Sequence, residues 1–180
     1  MRLIVFGRQG AGKGTQCQKL SAHLGVPHIS TGDMLRAAVE EGTEVGKTAE
    51  TYLKGGHLVP DDVMADVVAE RLAKEDARQG FLLDGFPRTL PQAEALLEIL
   101  DGSVDAVVNL DVSLPVVRQR MIERNREDDT PEAIDTRLAA YEADTVPVME
   151  FFERRGELVT VDGEGGIDEI FARLTTALGV

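Results

Sequence analysis

Five short apolar runs, separated by longer stretches of helical period, predict an α/β protein: a three-layer fold with a five-stranded parallel sheet flanked by helices. Near-continuous apolar strands point to a sheet buried on both faces, as parallel sheets are. A glycine-rich turn directly after the first run narrows the class further. The length of 180 residues is that of one domain, and no internal repeat or Gly/Ser-rich linker divides it.

The first run, residues 3–6, leads into Gly7-Arg8-Gln9-Gly10-Ala11-Gly12-Lys13-Gly14-Thr15 and then an amphipathic helix. Glycines let this backbone turn tightly and aim successive N–H groups at phosphate oxygens. The helix N-terminus adds the positive end of its dipole, and Lys13 brings a mobile cation for the β and γ phosphates. The loop reads as a P-loop, a triphosphate cradle formed by Gly10, Ala11, Gly12, Lys13, Gly14 and Thr15. The general pattern places Ser or Thr directly after the lysine, whereas here Gly14 intervenes, so Thr15 is the expected hydroxyl near Mg²⁺. Cys17, in the same helix, reads as core.

Residues 27–29 form the second strand, 81–83 the third, 106–112 the fourth and 158–161 the fifth. Helical period is clearest over 61–74 and 131–155, where apolar positions return every three or four residues. Residues 123–132, almost wholly charged or polar, read as an exposed loop between helices.

Composition limits function. With 19 Lys+Arg against 32 Asp+Glu, the formal charge of −13 repels nucleic acid and anionic membranes, so neither is an expected partner. An anionic ligand must be gripped locally. One cysteine allows no intramolecular disulfide and no multi-cysteine zinc site. The run at residues 3–6 is too short for a signal core, and no segment reaches the ~20 apolar residues of a membrane span. The expectation is a cytoplasmic protein. Arginines number 14 against 5 lysines, and the guanidinium fork matches phosphate geometry.

Three motifs follow one another: the glycine loop with Lys13-Gly14-Thr15, then Ser30-Thr31-Gly32-Asp33-Met34-Leu35-Arg36, then Asp84-Gly85-Phe86-Pro87-Arg88 with Gln92. In this order and spacing the chain resembles the adenylate kinases over nearly its whole length. The resemblance implies Mg²⁺-dependent conversion of ATP and AMP into two ADP, with these three nucleotides as partners, in a short-lid and expectedly monomeric form.

The resemblance also implies roles for single residues. Thr31 and Arg36 hold the nucleoside monophosphate, although Ser30, Thr31 and Asp33 also suit helix capping. The backbone at His57, Leu58 and Val59 closes over its adenine, with His57 replacing the more usual lysine. Gly85, Phe86 and Pro87 carry Arg88 to the α-phosphate, and the Phe86-Pro87 bond suits a cis form. Gln92, on the face of a helix expected to begin at Arg88, reads the N1 and N6 edge of adenine. Asp84 suits holding Mg²⁺ through water.

In the second half, composition alone reads Arg118, Arg120, Arg124 and Arg126, Asp128-Asp129 and Arg137 as a solvated helix end. By resemblance Arg120 stacks on the donor adenine, while Arg124, Arg126 and Arg137 reach the phosphates as a lid closes. Arg118 stays on the surface. The lid, about 123–133, lacks the cysteines of a zinc-binding form, and a monophosphate-binding insertion spans about 30–59. Gly165 is placed by resemblance at the donor adenine. The chain departs from the family at Arg8-Gln9, where small residues and proline are usual; Arg8 can contact donor phosphates or pair with a carboxylate.

Lys13, Arg88, Arg124, Arg126 and Arg137 form the expected catalytic set, since transfer to an already anionic acceptor needs alignment and charge neutralisation rather than a base. A UMP/CMP or other small-acceptor kinase shares the cradle but fits Thr31 and Gln92 less well. A catalytically silent nucleotide-binding module would not need the arginine set. A GTPase lacks the Asn-Lys-x-Asp run here.

Overall fold

The computed structural model describes every residue except Asn125, Glu127 and Asp128. The expectation for Asp128 therefore lies outside the described residues. Strands β1 (Arg2–Phe6), β2 (His28–Ser30), β3 (Phe81–Asp84), β4 (Ala106–Asp111) and β5 (Leu158–Asp162) form one sheet in the order β2-β3-β1-β4-β5. All four pairings are parallel. The helices are α1 (Lys13–Leu24), α2 (Thr31–Glu40), α3 (Glu44–Gly55), α4 (Asp61–Leu72), α5 (Leu90–Ile99), α6 (Leu114–Arg124), α7 (Pro131–Ala140), α8 (Val146–Arg154) and α9 (Ile167–Leu178).

Side chains alternate across a strand, so one strand feeds two cores. Ile4 and Phe6 face a core shared with Leu35, Ala49, Met64, Leu96 and Phe152, which seats α2, α3, α4, α5 and α8 on that side. Leu3 and Val5 face the other, with Cys17, Leu20, Val117, Ile170 and Leu174 from α1, α6 and α9. Full burial of Leu3, Ile4, Leu82, Leu83 and Val108 explains why these strands read as unbroken apolar runs. Cys17, also fully buried, is core as expected.

This topology locates the site. The chain leaves β1 through α1 on one face toward β2, and leaves β3 through α5 on the opposite face toward β4. The carboxyl ends of these two adjacent strands therefore open a crevice, where open α/β sheets bind ligands. The register pairs Val5 with Asp84, which sets the β3 carboxylate next to the mouth of the glycine loop.

Three local expectations need correction. The helix at 131–155 is broken by a π-helical turn, Tyr141–Thr145, between α7 and α8. Apolar spacing does not reveal one extra residue per turn, and such turns cluster at functional sites. Ser30, not Thr31, caps α2, accepting from Asp33 N–H at 3.3 Å, while Thr31 is buried and donates its hydroxyl to Asp84 O at 3.3 Å. Finally α5 starts at Leu90, capped by Thr89, so Arg88 precedes the helix. Thr89 and Pro91 explain the shift: the Thr89 hydroxyl caps the helix by accepting from Gln92 N–H, and proline, which lacks an N–H, fits the first turn.

Candidate active site

The glycine loop wraps the N-terminus of α1. Its N-cap, Gly12, offers no side chain to satisfy the first N–H groups, which leaves them for a ligand. Gly10 makes the close approach possible: at φ 86° a Cβ would stand 2.5 Å from Val117 O and 2.9 Å from Met121 Cγ. Lys13 Nζ folds back onto the loop, donating to Gly7 O at 2.7 Å and Arg8 O at 3.1 Å. Gly10, Gly12, Lys13, Gly14 and Thr15 border one polar cavity, which also takes in Asp84, Arg120, Arg124 and Arg126. Ala11 is buried behind it and contributes its carbonyl, which accepts from Arg120 Nη1 at 3.3 Å. Gly165 lies beyond β5 and does not border this cavity.

A second cavity opens between α2, α3 and α5. Thr31, Arg36, His57, Leu58, Val59, Gly85, Arg88 and Gln92 border it, as does Arg137. His57 is exposed and shares the cavity rim. Phe86 and Pro87 are buried beneath, joined by a cis bond as the motif suggested. Gly85, at φ 85°, is required where it stands: a Cβ would be 2.8 Å from Thr31 Oγ1. Arg88 Nε donates to Gly85 O at 2.8 Å, and its backbone carbonyl accepts from Thr145 Oγ1 at 3.1 Å. The π-helical turn thus braces the arginine.

Electrostatics mark the junction of the two cavities. Burial pulls Lys13 below the usual lysine range, and Arg88 and Arg124 add repulsion that Asp84 partly opposes. Burial likewise lowers Arg88, with Asp84 opposing and Arg137 and Arg36 adding to the effect. Two half-buried cations that repel their neighbours are stabilised by an arriving anion. Burial pushes Asp84 up, but His28 and Lys13 offset this and leave it below the usual carboxylate range.

Two arginines from the second half, Arg124 and Arg137, are parked on one carboxylate. Asp129 accepts from Arg124 through Nε at 2.6 Å and Nη2 at 2.9 Å, and from Arg137 Nη1 at 2.8 Å. Arg137 also donates to Leu53 O at 3.0 Å, tying α7 to α3. Arg36 pairs with Asp33 within α2. Arg118 pairs with Asp135 on the surface, as expected.

A family model described as Adenylate kinase matches residues 5–157. The chain belongs to the adenylate kinase family. It is 48% identical over 181 residues to an adenylate kinase of Corynebacterium urealyticum, covering 99% of each chain. It is 49% identical over 182 residues to one of Corynebacterium glutamicum, again covering 99% of each. It is 46% identical over 181 residues to adenylate kinase 1 of Nostoc, covering 99% of this chain and 98% of that one. Family membership makes it an ATP-binding phosphotransferase whose acceptor is a phosphate group, with ATP, AMP and ADP as substrates. Adenylate kinases use ATP together with a divalent metal ion. No helix among the described residues is long and apolar enough to cross a membrane.

In this adenylate kinase, Arg8 turns away from the loop's mouth. Its guanidinium donates to Glu142 Oε1 at 2.7 and 2.9 Å and lies 3.4 Å from Asp111, stacked over Tyr141. Of the two roles the sequence left open, the structure shows the pairing with carboxylates. Two contributors escaped the sequence reading. Asp61, the first residue of α4, accepts from Gln92 Nε2 at 2.8 Å and Thr89 Oγ1 at 3.0 Å. Thr145 braces Arg88. A carboxylate that opens a helix after a proline carries no functional signal of its own, and no periodicity marks a residue inside a π-helical turn.

Proposed function

We propose that the cavity over the glycine loop takes ATP and the cavity between α2, α3 and α5 takes AMP, with transfer at their junction. The observation carrying this reading is Arg88, a half-buried cation bordering both cavities. Gly10 to Thr15 would cradle the donor phosphates, with Lys13 leaving its loop carbonyls for the β and γ oxygens. Arg120 and Arg124 would hold the donor side, and Gly165 its adenine edge after closure. Thr31, Arg36 and the backbone of residues 57–59 would hold the acceptor, with Gly85, Phe86 and Pro87 presenting Arg88 to its phosphate and Gln92 reading adenine.

Thr15 and Asp84 are hard oxygen donors on one cavity wall, and a lowered carboxylate suits a hard divalent cation. They would hold Mg²⁺, Asp84 through water. Bound with ATP, the ion would neutralise charge on the donor phosphates. The chain's own residues supply the rest. Lys13, Arg88, Arg124, Arg126 and Arg137 neutralise and align the transferring group, and no general base is required. The segment at 30–59 and the short lid at 123–133 would close over the substrates and exclude water that otherwise hydrolyses ATP. The role is adenine nucleotide homeostasis by a cytoplasmic monomer.

The test is ADP formation by the purified protein with ATP and Mg²⁺, scanning AMP, GMP, CMP, UMP and no acceptor, with an EDTA control. The expected result is two ADP per ATP, dependent on AMP and abolished by EDTA. Transfer only to a pyrimidine acceptor would overturn the Gln92 assignment, and full activity in EDTA would overturn the metal.

A further inference from the structure

Of the two residues at which the glycine loop departs from its family, Arg8 pairs with carboxylates away from the cavities, whereas Gln9 borders them. Gln9 and Arg88 are the two residues, among those described, that border the ATP cavity, the AMP cavity and a third space lined also by Tyr141 and Thr145. Gln9 Oε1 is buried and has no hydrogen-bond partner. That contrasts with Gln92, whose Oε1 and Nε2 are both engaged. A buried amide oxygen without a partner costs free energy, and it persists where a bound state supplies what the free state lacks.

We propose that Gln9 is a further catalytic residue of this chain, its side-chain amide contacting the phosphoryl group in passage between donor and acceptor. The inference rests on the site reading above. An amide suits this place in two ways. Nε2 donates to a phosphoryl oxygen, adding stabilisation without a further charge among Lys13, Arg88 and Arg137. Oε1 accepts an N–H from the Arg88 or Arg137 guanidinium as these turn onto the phosphates, which satisfies the orphaned oxygen and fixes the donor's aim. Proline, usual in the family here, can do neither.

The experiment compares Gln9→Ala and Gln9→Glu with the unsubstituted protein in steady-state transfer, AMP-free ATP hydrolysis and thermal melting. Gln9→Ala is expected to lower kcat about tenfold with KM for ATP and AMP within twofold. Gln9→Glu, of the same shape, is expected to lose more, because a carboxylate repels the phosphoryl oxygens. Turnover within twofold for both variants would overturn the proposal. So would a loss in Gln9→Ala matched by lowered melting temperature while isosteric Gln9→Glu stays fully active. A Gln9→Ala variant that loses only hydrolysis would also overturn it, assigning the amide to water instead. Arg88→Ala run alongside separates the failures: undiminished turnover there would strike the site reading itself.

Discussion

Asp61 fixes the orientation of Gln92. Its Oδ1 accepts from Gln92 Nε2 at 2.8 Å, while Gln92 Oε1 accepts from Arg88 N–H at 2.8 Å. A carboxylate can only accept and a backbone N–H can only donate, so these two partners leave one way for the amide to lie. Gln92 is almost wholly buried, and the residue assigned to read adenine is thus pre-aligned by a residue on another helix. Asp61→Asn offers either end of an amide and removes that constraint. KM for AMP is expected to rise five- to tenfold, about 1–1.4 kcal/mol, with kcat within threefold and weaker preference over other monophosphates. An unchanged KM would mean that Arg88 N–H alone sets the orientation.

Arg88 is anchored through Nε to Gly85 O and braced by Thr145. The Thr145 brace acts on the backbone and survives truncation of the side chain, so the fold should stay intact. Arg88→Ala is expected to retain its far-UV circular dichroism and to lose about a hundredfold or more in kcat, the scale of removing one preorganised donor. Near-normal turnover would remove Arg88 from the catalytic set.

Asp129 has no exposed side-chain surface and holds two arginines, one of them nearly buried. Burial raises its carboxyl, but Arg124 and Arg137 offset this and leave it below the usual range. Asp129→Ala strands those guanidiniums, and breaking such a pair costs roughly 3–5 kcal/mol. At about 2–4 °C per kcal/mol for a chain of this size, the melting temperature should fall by roughly 6–20 °C. A change within 2 °C would show that Leu53 O and solvent replace the carboxylate.

Asp84 gives a pH signature. Its folded-state pKa is below its unfolded value of about 3.9, because His28 and Lys13 outweigh burial. A depressed carboxyl stabilises the fold at pH values above its unfolded pKa, and that stability is lost as pH falls through the folded one. Urea melts of the protein and of Asp84→Asn should therefore differ fully at pH values above the unfolded pKa and converge as pH falls through the lower folded-state one. A gap that widens toward acid would reverse the assignment.

The sequence by itself determined the sheet and the cradle. Buried parallel strands must be apolar on both faces, so Leu3, Ile4, Leu82, Leu83 and Val108 announce themselves, and the glycine loop is local chemistry between β1 and α1. The motifs that border the two cavities were legible for the same reason, since each is short and continuous. Tertiary structure decided what depends on residues far apart in the chain. Arg8 meets Glu142 across 134 positions, Gln92 meets Asp61 across 31, and Thr145 reaches Arg88 across 57. Gln9, a neutral side chain in a loop read for its glycines, gains meaning only once β1 and β3 bring Arg88 to the same junction. Periodicity records which face of an element is buried; it carries no record of which polar partner waits on the other side, because that partner is chosen by the packing of whole elements.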